Sequence, residues 1–416
     1  MEMTPTKQTF RNYLVFWGGQ LFSLLGSSII QFVIVWWIAE GTRSPIYVSI
    51  AFFLSSLPMV IIPPIVGVFI DRWNRKLTIA LTDSLQASIT FVLILYFLFG
   101  TPNVWFVILM NFLRGICQAI HFPTINAIIP LMIPKNNLSR MNAINYLFTG
   151  TIRVIGPIIA GTLLLFLDIE HILWADVITF FIAIIPLIFI KIPSINNKSD
   201  QKVRNSYFKD FRSGIRFMKS TRSLLLLIVF ISVINLLNMP FTTLMSLFII
   251  LNHSGGEQNF AMVSAFLQTG VVIGAIIALS KKTWKHKELI ILYSTVIGIA
   301  GYSLTTFAPK GNFLMIGLGA LIHASMIPIA NTMFLTMFQT RVPPEAQGRV
   351  FSFIASIAAA VTPLGMLISG PLAEVLGIIL LFIISLYLQF VSILVTWYFT
   401  SLKLIIVDQI EIESTD

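Results

Sequence analysis

The chain has 416 residues, of which 56% are apolar and only 11% are charged, and its mean hydropathy is +0.89. Soluble domains carry about 25% charged residues, so this composition excludes a soluble protein and indicates one embedded in a lipid bilayer. The formal net charge of +10 does not indicate a nucleic-acid partner, because the basic residues lie in the short segments between apolar runs.

Twelve apolar runs are long enough to cross a membrane. A hydrocarbon core of about 30 Å requires about 20 apolar residues per helical span. Because lipid cannot satisfy backbone hydrogen bonds, runs of this length predict α-helices rather than the shorter alternating strands of a barrel. We therefore predict an all-α integral membrane fold with twelve transmembrane helices. The predicted spans are 14–39, 45–70, 77–100, 103–130, 139–166, 171–191, 223–251, 260–280, 288–308, 311–338, 348–376 and 378–402.

The placement of basic residues predicts the orientation. Assigning alternate loops to opposite sides places 23 Lys and Arg residues on one side and only Arg43 and Lys310 on the other. The positive-inside rule assigns the basic side to the cytoplasm. We therefore expect a multi-pass protein of the inner or plasma membrane with both termini in the cytoplasm.

The two halves of the chain repeat. "IPKNNLSRM" at 133–141 aligns with "VPPEAQGRV" at 342–350, and "GPIIAG" at 156–161 aligns with "GMLISG" at 365–370, at a common offset of 209. This duplication predicts two six-helix pseudo-repeats, an architecture in which transporters rock around a site near the bilayer midplane. The predicted domains are an N-terminal bundle at 1–191, a cytoplasmic linker at 192–222, and a C-terminal bundle with a cytoplasmic tail at 223–416.

The linker has a periodicity of its own. Phe208, Phe211, Ile215 and Met218 recur at helical spacing beside a stripe of Lys and Arg residues. This pattern favours a helix lying on the anionic cytoplasmic leaflet. A solvated tether is the alternative.

The segment "GVFIDRWNRK" at 67–76 resembles a family signature. It matches the loop motif G-x-L-x-D-R-x-G-R-K of the major facilitator superfamily, and its matching residues are Gly67, Asp71, Arg72, Arg75 and Lys76. Asn74 stands in place of the second glycine, and asparagine tolerates the left-handed backbone expected there. The resemblance implies that this loop takes part in conformational change.

The fourth and fifth spans extend the resemblance. Arg114 lies near the middle of its span, where an isolated charge is costly, and it matches a basic residue that the superfamily often carries there. "GTIRVIGPIIAG" resembles the fifth-helix signature of the drug:proton antiporter branch through Gly156, Pro157 and Gly161, although Ile152 and Ala160 depart from it. Arg153 adds a second cation that we expect to be buried.

The chain as a whole resembles macrolide-type efflux proteins and siderophore exporters. The resemblance implies a secondary active transporter that exports a small amphipathic compound by proton antiport. An importer, a lysolipid or siderophore/metabolite transporter of the same fold, and a non-transporting membrane sensor are the alternatives. No metal-ligand spacing, phosphate loop or nucleophile elbow is present in the sequence, so we expect neither an enzyme nor a metal or other cofactor. The family resemblance implies a monomer.

Several polar residues within the spans are candidates for proton coupling. Buried carboxyls and histidines can titrate near neutral pH, but each could instead serve only to pair or hydrogen-bond with a neighbouring helix. His323 lies at the repeat position of Arg114. The candidates at the midplane are Arg114, Arg153, Asp83, Asp176, His121 and His323.

Polar and aromatic side chains within the spans are candidates for substrate contact. Trp36 and Phe122 are expected to offer stacking surfaces, and two buried cations would favour neutral or anionic amphiphiles. The polar candidates are Gln31, Asn126, Asn145, Asn235, Asn238, Gln268 and Asn331. Any of them could instead bridge two helices.

Overall fold

The computed structural model describes residues 6–70, 73–190, 192, 222–281, 284–342 and 344–399. These residues form twelve α-helices and no strand, which confirms the predicted all-α fold. Eleven helices are long and apolar enough to cross a membrane, and the shorter apolar stretch Ala360–Leu376 belongs to α11. The helices are α1 Lys7–Thr42, α2 Pro45–Ile70, α3 Arg75–Phe99, α4 Val104–Met132, α5 Lys135–Leu163, α6 Ile169–Phe189, α7 Arg222–Leu247, α8 Glu257–Leu279, α9 Lys287–Thr306, α10 Phe313–Arg341, α11 Pro344–Leu376 and α12 Ile378–Phe399.

The observed helices extend beyond several predicted spans because capping residues, which hydropathy does not detect, set their ends. In α1, Thr6 Oγ1 accepts from the Thr9 backbone N at 3.2 Å, and Thr9 Oγ1 accepts from the Thr6 N at 2.9 Å. This reciprocal capping box starts the helix at Lys7. Asn74 caps α3 in extended backbone geometry, with φ −70° and ψ 102°, so the expected left-handed conformation of Asn74 is wrong.

The described helices belong to two compact units. The first contains α1 to α6 together with residues 249–251 and 255–265, and the second contains all of α7, the rest of α8, and α9 to α12. The start of α8 joins the first unit partly because Phe260 stacks on Phe32, with ring centroids 4.8 Å apart. The predicted surface helix around 208–219 lies outside the described residues.

Close backbone contact between α9 and α10 organises the second unit. A Cβ on Gly301 would lie 2.6 Å from the His323 backbone N and 2.7 Å from the Gly319 carbonyl oxygen. Small residues permit such approach between membrane helices. The contact places the His323 side chain against α9.

This contact predicts a stability effect at Gly301. Gly301→Ala must separate two backbones, and we expect a loss on the order of 2 kcal/mol, seen as an apparent melting temperature lower by several degrees in detergent. Gly18→Ala is the matched control, because a Cβ at helical Gly18 meets nothing within 4 Å. Equal melting temperatures for the two variants would contradict the close packing of α9 on α10.

His253 joins two loops of the second unit outside the membrane spans. It follows a π-helical turn at Phe248–Asn252, and its Nδ1 accepts a hydrogen bond from the Gly311 backbone N at 3.2 Å. Burial lowers the pKa of His253, and the nearby Lys310 charge lowers it further. A hydrogen bond with the Pro309 backbone raises the pKa but does not cancel the decrease. The ring is therefore neutral in the folded protein at neutral pH.

This geometry predicts that acid weakens the second unit. Because the folded pKa of His253 lies below its ordinary value of about 6.5, the unfolded chain binds the proton more readily. The stabilisation is complete above that ordinary value and is lost as pH falls through the lower folded pKa. His253→Asn preserves an acceptor for Gly311 and should reduce the fall in melting temperature between pH 7.5 and 5.5. An identical pH dependence in the variant would contradict this account.

Candidate functional site

A buried ion pair lies in the first unit. Arg114 Nη1 of α4 lies 2.6 Å from Asp176 Oδ2 of α6, and the two side chains are 7% and 5% exposed. The Thr90 hydroxyl of α3 also donates to Asp176 Oδ2 at 2.6 Å and accepts from Arg114 Nη1. The structure therefore joins three helices at one carboxylate.

The second oxygen of Asp176 is also engaged. Ser27 of α1 donates to Asp176 Oδ1 at 3.2 Å, and Gln86 Nε2 donates to the Ser27 hydroxyl at 2.8 Å. Burying an ionised group is costly unless it is paired and hydrogen-bonded. These contacts pair Arg114 with Asp176, which is the structural ion pair that the sequence had left open as an alternative for Arg114.

A second polar cluster surrounds Asp83 of α3. Gln20 Nε2 donates to Asp83 Oδ2 at 3.1 Å. His121 Nε2 lies 2.9 Å from Asp83 Oδ1, within ion-pair distance, but makes no aligned hydrogen bond among the described residues. The His121 side chain is 18% exposed, compared with 7% for Asp83. Asp83 is thus less fully satisfied than Asp176, and its histidine partner is more accessible.

The two clusters form layers because the same spacing recurs on three helices. Seven residues separate the members on each helix, which is two turns or about 10 Å along the axis. The pairs of positions are Gln20 and Ser27 on α1, Asp83 and Thr90 on α3, and Arg114 and His121 on α4. The sequence analysis missed Gln20, Ser27 and Thr90, which this shared spacing could have found, and also Gln86, which lies outside the spacing and is identified only by its bond to Ser27.

The fifth-helix motif lies at close packing contacts. A Cβ on Gly156 would meet the Ser28 side chain of α1, and a Cβ on Gly161 would meet the Ala261 side chain. Pro157 lies inside the helix and is buried. The Arg153 side chain is exposed, so the expectation that Arg153 is a second buried cation is wrong.

Only part of the loop motif lies within the described residues. Gly67 lies near the end of α2, Arg75 is buried, and Asp71 and Arg72 fall outside the described residues. Lys76 Nζ donates to the carbonyl oxygens of Ile188 at 2.6 Å and Ile190 at 2.8 Å. A cation at a helix C-terminus is favourable, so Lys76 ties the start of α3 to the end of α6.

The substrate candidates of the first unit lie in different surroundings. Gln31, Asn126 and Phe122 are exposed, while Asn145 Oδ1 accepts from Trp17 Nε1 at 2.9 Å. Trp36 is only 3% exposed and stacks on Phe260 with centroids 5.9 Å apart. Trp36 is therefore part of the packing rather than an open stacking surface. Gln268 of α8 is partly buried.

The second unit contains a small cavity of about 50 Å³ between α7, α9, α10 and α12. It brings together four predicted residues that are far apart in sequence. Gln389, which the sequence analysis missed, donates to Asn238 Oδ1 at 3.1 Å. The polar residues of the lining are Asn235, Asn238, Ser294, Thr295, His323, Asn331 and Gln389.

Comparisons with known proteins identify the family to which this chain belongs. A family model of the Major Facilitator Superfamily matches residues 16–363. The chain belongs to the major facilitator superfamily. It is a multi-pass membrane transporter of small molecules and not an enzyme.

Two relatives in the major facilitator superfamily are similar over most of their length. Macrolide efflux protein A of Streptococcus pyogenes is 26% identical over 375 residues, which cover 90% of this chain and 92% of the relative. The staphyloferrin A transporter of Staphylococcus aureus is 25% identical over 400 residues, covering 94% and 96%. The structure of a D-xylose-proton symporter covers 95% of this chain and 98% of its own at a TM-score of 0.68 and 11% identity, which shows the fold alone.

The Arg114–Asp176 pair predicts a charge-dependent stability effect. Arg114→Met or Asp176→Leu alone leaves an uncompensated buried charge and should cost about 3–5 kcal/mol. The double variant should recover much of that loss, because both charges are removed together. The measurement is the apparent melting temperature of each purified variant in detergent.

Arg153→Met provides the matched control on the neighbouring helix. Its side chain is exposed, so we expect the melting temperature to stay within about 1 °C, as for most surface substitutions. Additive losses in the Arg114 and Asp176 double variant would show that the two charges do not stabilise one another.

Proposed function

We propose that this transporter exports a small amphipathic compound, macrolide-like in chemistry, in exchange for protons by alternating access. The similarity to macrolide efflux protein A supports the direction and the class of compound. The observation that carries the coupling is the contact of Asp83 with His121 at 2.9 Å in the first unit. A histidine and a carboxylate in contact share their titration as a pair, and such a pair can take up and release one proton.

Asp83 is a better coupling group than Asp176. Asp176 accepts from Arg114, Thr90 and Ser27, so protonation would break a set of hydrogen bonds to the charged form. Asp83 accepts an aligned hydrogen bond from Gln20, and its titratable neighbour His121 is 18% exposed. We assign proton exchange to Asp83 and His121, and a permanent structural charge pair to Arg114 and Asp176.

The available driving force is adequate for such export. One elementary charge moving through 100 mV releases about 2.3 kcal/mol, which supports a gradient of roughly fifty-fold per proton. Since Arg114 is paired with Asp176, this arginine gives no reason to prefer anionic amphiphiles over neutral or cationic ones.

The remaining expectations from the sequence belong to the same proposal. The excess of basic residues on one side supports a plasma-membrane protein with both termini in the cytoplasm, and we propose that it acts as a monomer. Lys76, through its bonds to the end of α6, would transmit movement between α3 and α6. We assign that conformational role to the loop motif as a whole.

Siderophore transport is the second candidate function. The similarity to the staphyloferrin A transporter, over 94% of this chain, favours it. Both candidates use the same fold, and they differ in the chemistry of the compound carried.

The test is cellular accumulation in an efflux-deleted bacterium that expresses the protein. We expect reduced accumulation of erythromycin, restored by a protonophore and by Asp83→Asn or His121→Gln, because neither variant retains the titrating pair. Asp168→Asn is the matched control, since Asp168 is an exposed carboxyl at the start of α6. Membrane expression of each variant is verified by immunoblotting.

Different results separate the parts of this proposal. Full protonophore-sensitive export by Asp83→Asn would refute the coupling assignment and leave the direction of transport intact. Unchanged accumulation of erythromycin, tetracycline and dyes, together with altered accumulation of a siderophore, would favour the second candidate.

A further inference from the structure

Gln20 of α1 is the aligned hydrogen-bond partner of Asp83. Its Nε2 donates to Asp83 Oδ2 at 3.1 Å, and Gln20 itself is only 9% exposed. The bond uses one carboxyl oxygen and leaves the other, Oδ1, at 2.9 Å from His121 Nε2. Gln20 therefore fixes which oxygen of the carboxyl faces the histidine.

Close packing of α1 directs Gln20 towards α3. A Cβ on the preceding residue, Gly19, would lie 3.2 Å from the Ala183 Cα atom, so α1 lies against α6 at this level. Successive residues differ by about 100° around a helix, and the next side chain, Gln20, reaches Asp83 of α3 instead. The glutamine is thus placed by backbone packing as well as by its hydrogen bond.

The chemical type of the partner distinguishes Asp83 from Asp176. Asp176 bonds to Arg114, whose guanidinium can only donate and always carries a charge. The amide of Gln20 is neutral, and a neutral donor favours the charged form of a carboxyl without supplying a counter-charge that would keep it ionised. Asp83 is therefore held towards the carboxylate form, while the pair that it makes with His121 can still gain and lose a proton.

The other charged and titratable groups of the surrounding helices do not bond to Asp83 among the described residues. Arg114 and Asp176 bond to each other two helical turns away. Lys76, two turns earlier on α3, bonds to carbonyl oxygens at the end of α6. His121 is therefore the one titratable group of the described chain within ion-pair distance of this carboxyl. The other groups are Arg11 on α1, Arg75 and Lys76 on α3, Arg114 and Cys117 on α4, and Asp176 on α6.

We propose that Gln20 is the positioning residue for proton exchange: its bond to Asp83 Oδ2 turns Oδ1 towards His121 and places the exchanged proton on the imidazole rather than on the carboxyl. Uptake of one proton converts a carboxylate beside a neutral imidazole into an ion pair of carboxylate and imidazolium, and release reverses that step. The role of this step in transport rests on the proposed function. The location of the proton is measured without any substrate.

The test is an acid titration of the full-length protein in lipid nanodiscs, followed by infrared difference spectroscopy. A protonated carboxyl gives a C=O stretching band that a carboxylate lacks, and Asp83→Asn identifies the band of Asp83. Nuclear magnetic resonance of isotope-labelled histidine, with His121→Gln as the reference, reports the imidazolium. In the unmodified protein we expect His121 to become an imidazolium at a higher pH than that at which the Asp83 band appears.

Two substitutions of Gln20 should move the Asp83 band in opposite directions. Gln20→Met keeps the length of the side chain and removes the donor, so the charged carboxyl loses a hydrogen bond. We expect the band to appear at a pH higher by about one unit, before the imidazolium forms. Gln20→Lys supplies a donor that is also charged, and it should move the band to lower pH. A purely structural role of Gln20 would not produce opposite shifts.

Gln86→Met is the matched control. Gln86 is a partly buried glutamine of α3 that donates to Ser27 in the Asp176 layer, so its loss should leave the Asp83 band where it is in the unmodified protein. A band at the same pH in Gln20→Met and Gln20→Lys would overturn the proposal. So would an Asp83 band that precedes the imidazolium in the unmodified protein, and this order of signals requires no variant to fold. Melting temperatures show which variants are folded.

Erythromycin accumulation separates this proposal from the proposed function. A shifted Asp83 band in Gln20→Met, in a protein that exports no erythromycin, would refute macrolide export and support the positioning of the proton by Gln20. Protonophore-sensitive export of erythromycin with an unshifted band in Gln20→Met would overturn the role of Gln20 and leave the proposed function standing.

Discussion

The absence of hydrogen-bond partners in hydrocarbon is the constraint on which this structure depends. A polar side chain within a membrane bundle must find its partners on neighbouring helices. Asp176 is satisfied from three sides at once, by Arg114, Thr90 and Ser27. The packing of α1, α3, α4 and α6 is therefore specified by polar groups as well as by apolar contact.

The two units meet this constraint in different ways. The first unit contains ionisable groups in two layers, with the carboxyl of Asp176 bonded through both oxygens in one layer and the carboxyl of Asp83 beside a histidine in the other. The second unit contains neutral amides and a histidine around a cavity. His323 and Arg114 lie at the same position of the two repeats, yet one is bonded to a backbone carbonyl and the other to a carboxylate.

Glycines decide how closely the helices approach and thereby which polar groups meet. Gly301 lets the α9 backbone contact the backbone of α10, and this contact brings His323 within hydrogen-bonding distance of Gly298. Gly156 likewise lets α5 lie close to the Ser28 side chain of α1, in the space that a Cβ would otherwise fill. Hydropathy does not report such contacts, because a glycine in an apolar run changes the average very little.

The sequence by itself determined the membrane class, the twelve helices and the family, because apolar length, repeat offset and loop motif are all properties of the linear chain. It also singled out Arg114, Asp83, Asp176 and His121 as polar residues whose burial in a bilayer costs free energy. Only the tertiary structure decided which of them meet. Pairing depends on helix rotation and on contacts between residues that are distant in sequence, such as Ser27 and Asp176, which are 149 positions apart. For the same reason, the exposure of Arg153 and the burial of Trp36 followed from packing, which residue type and position along a span do not specify.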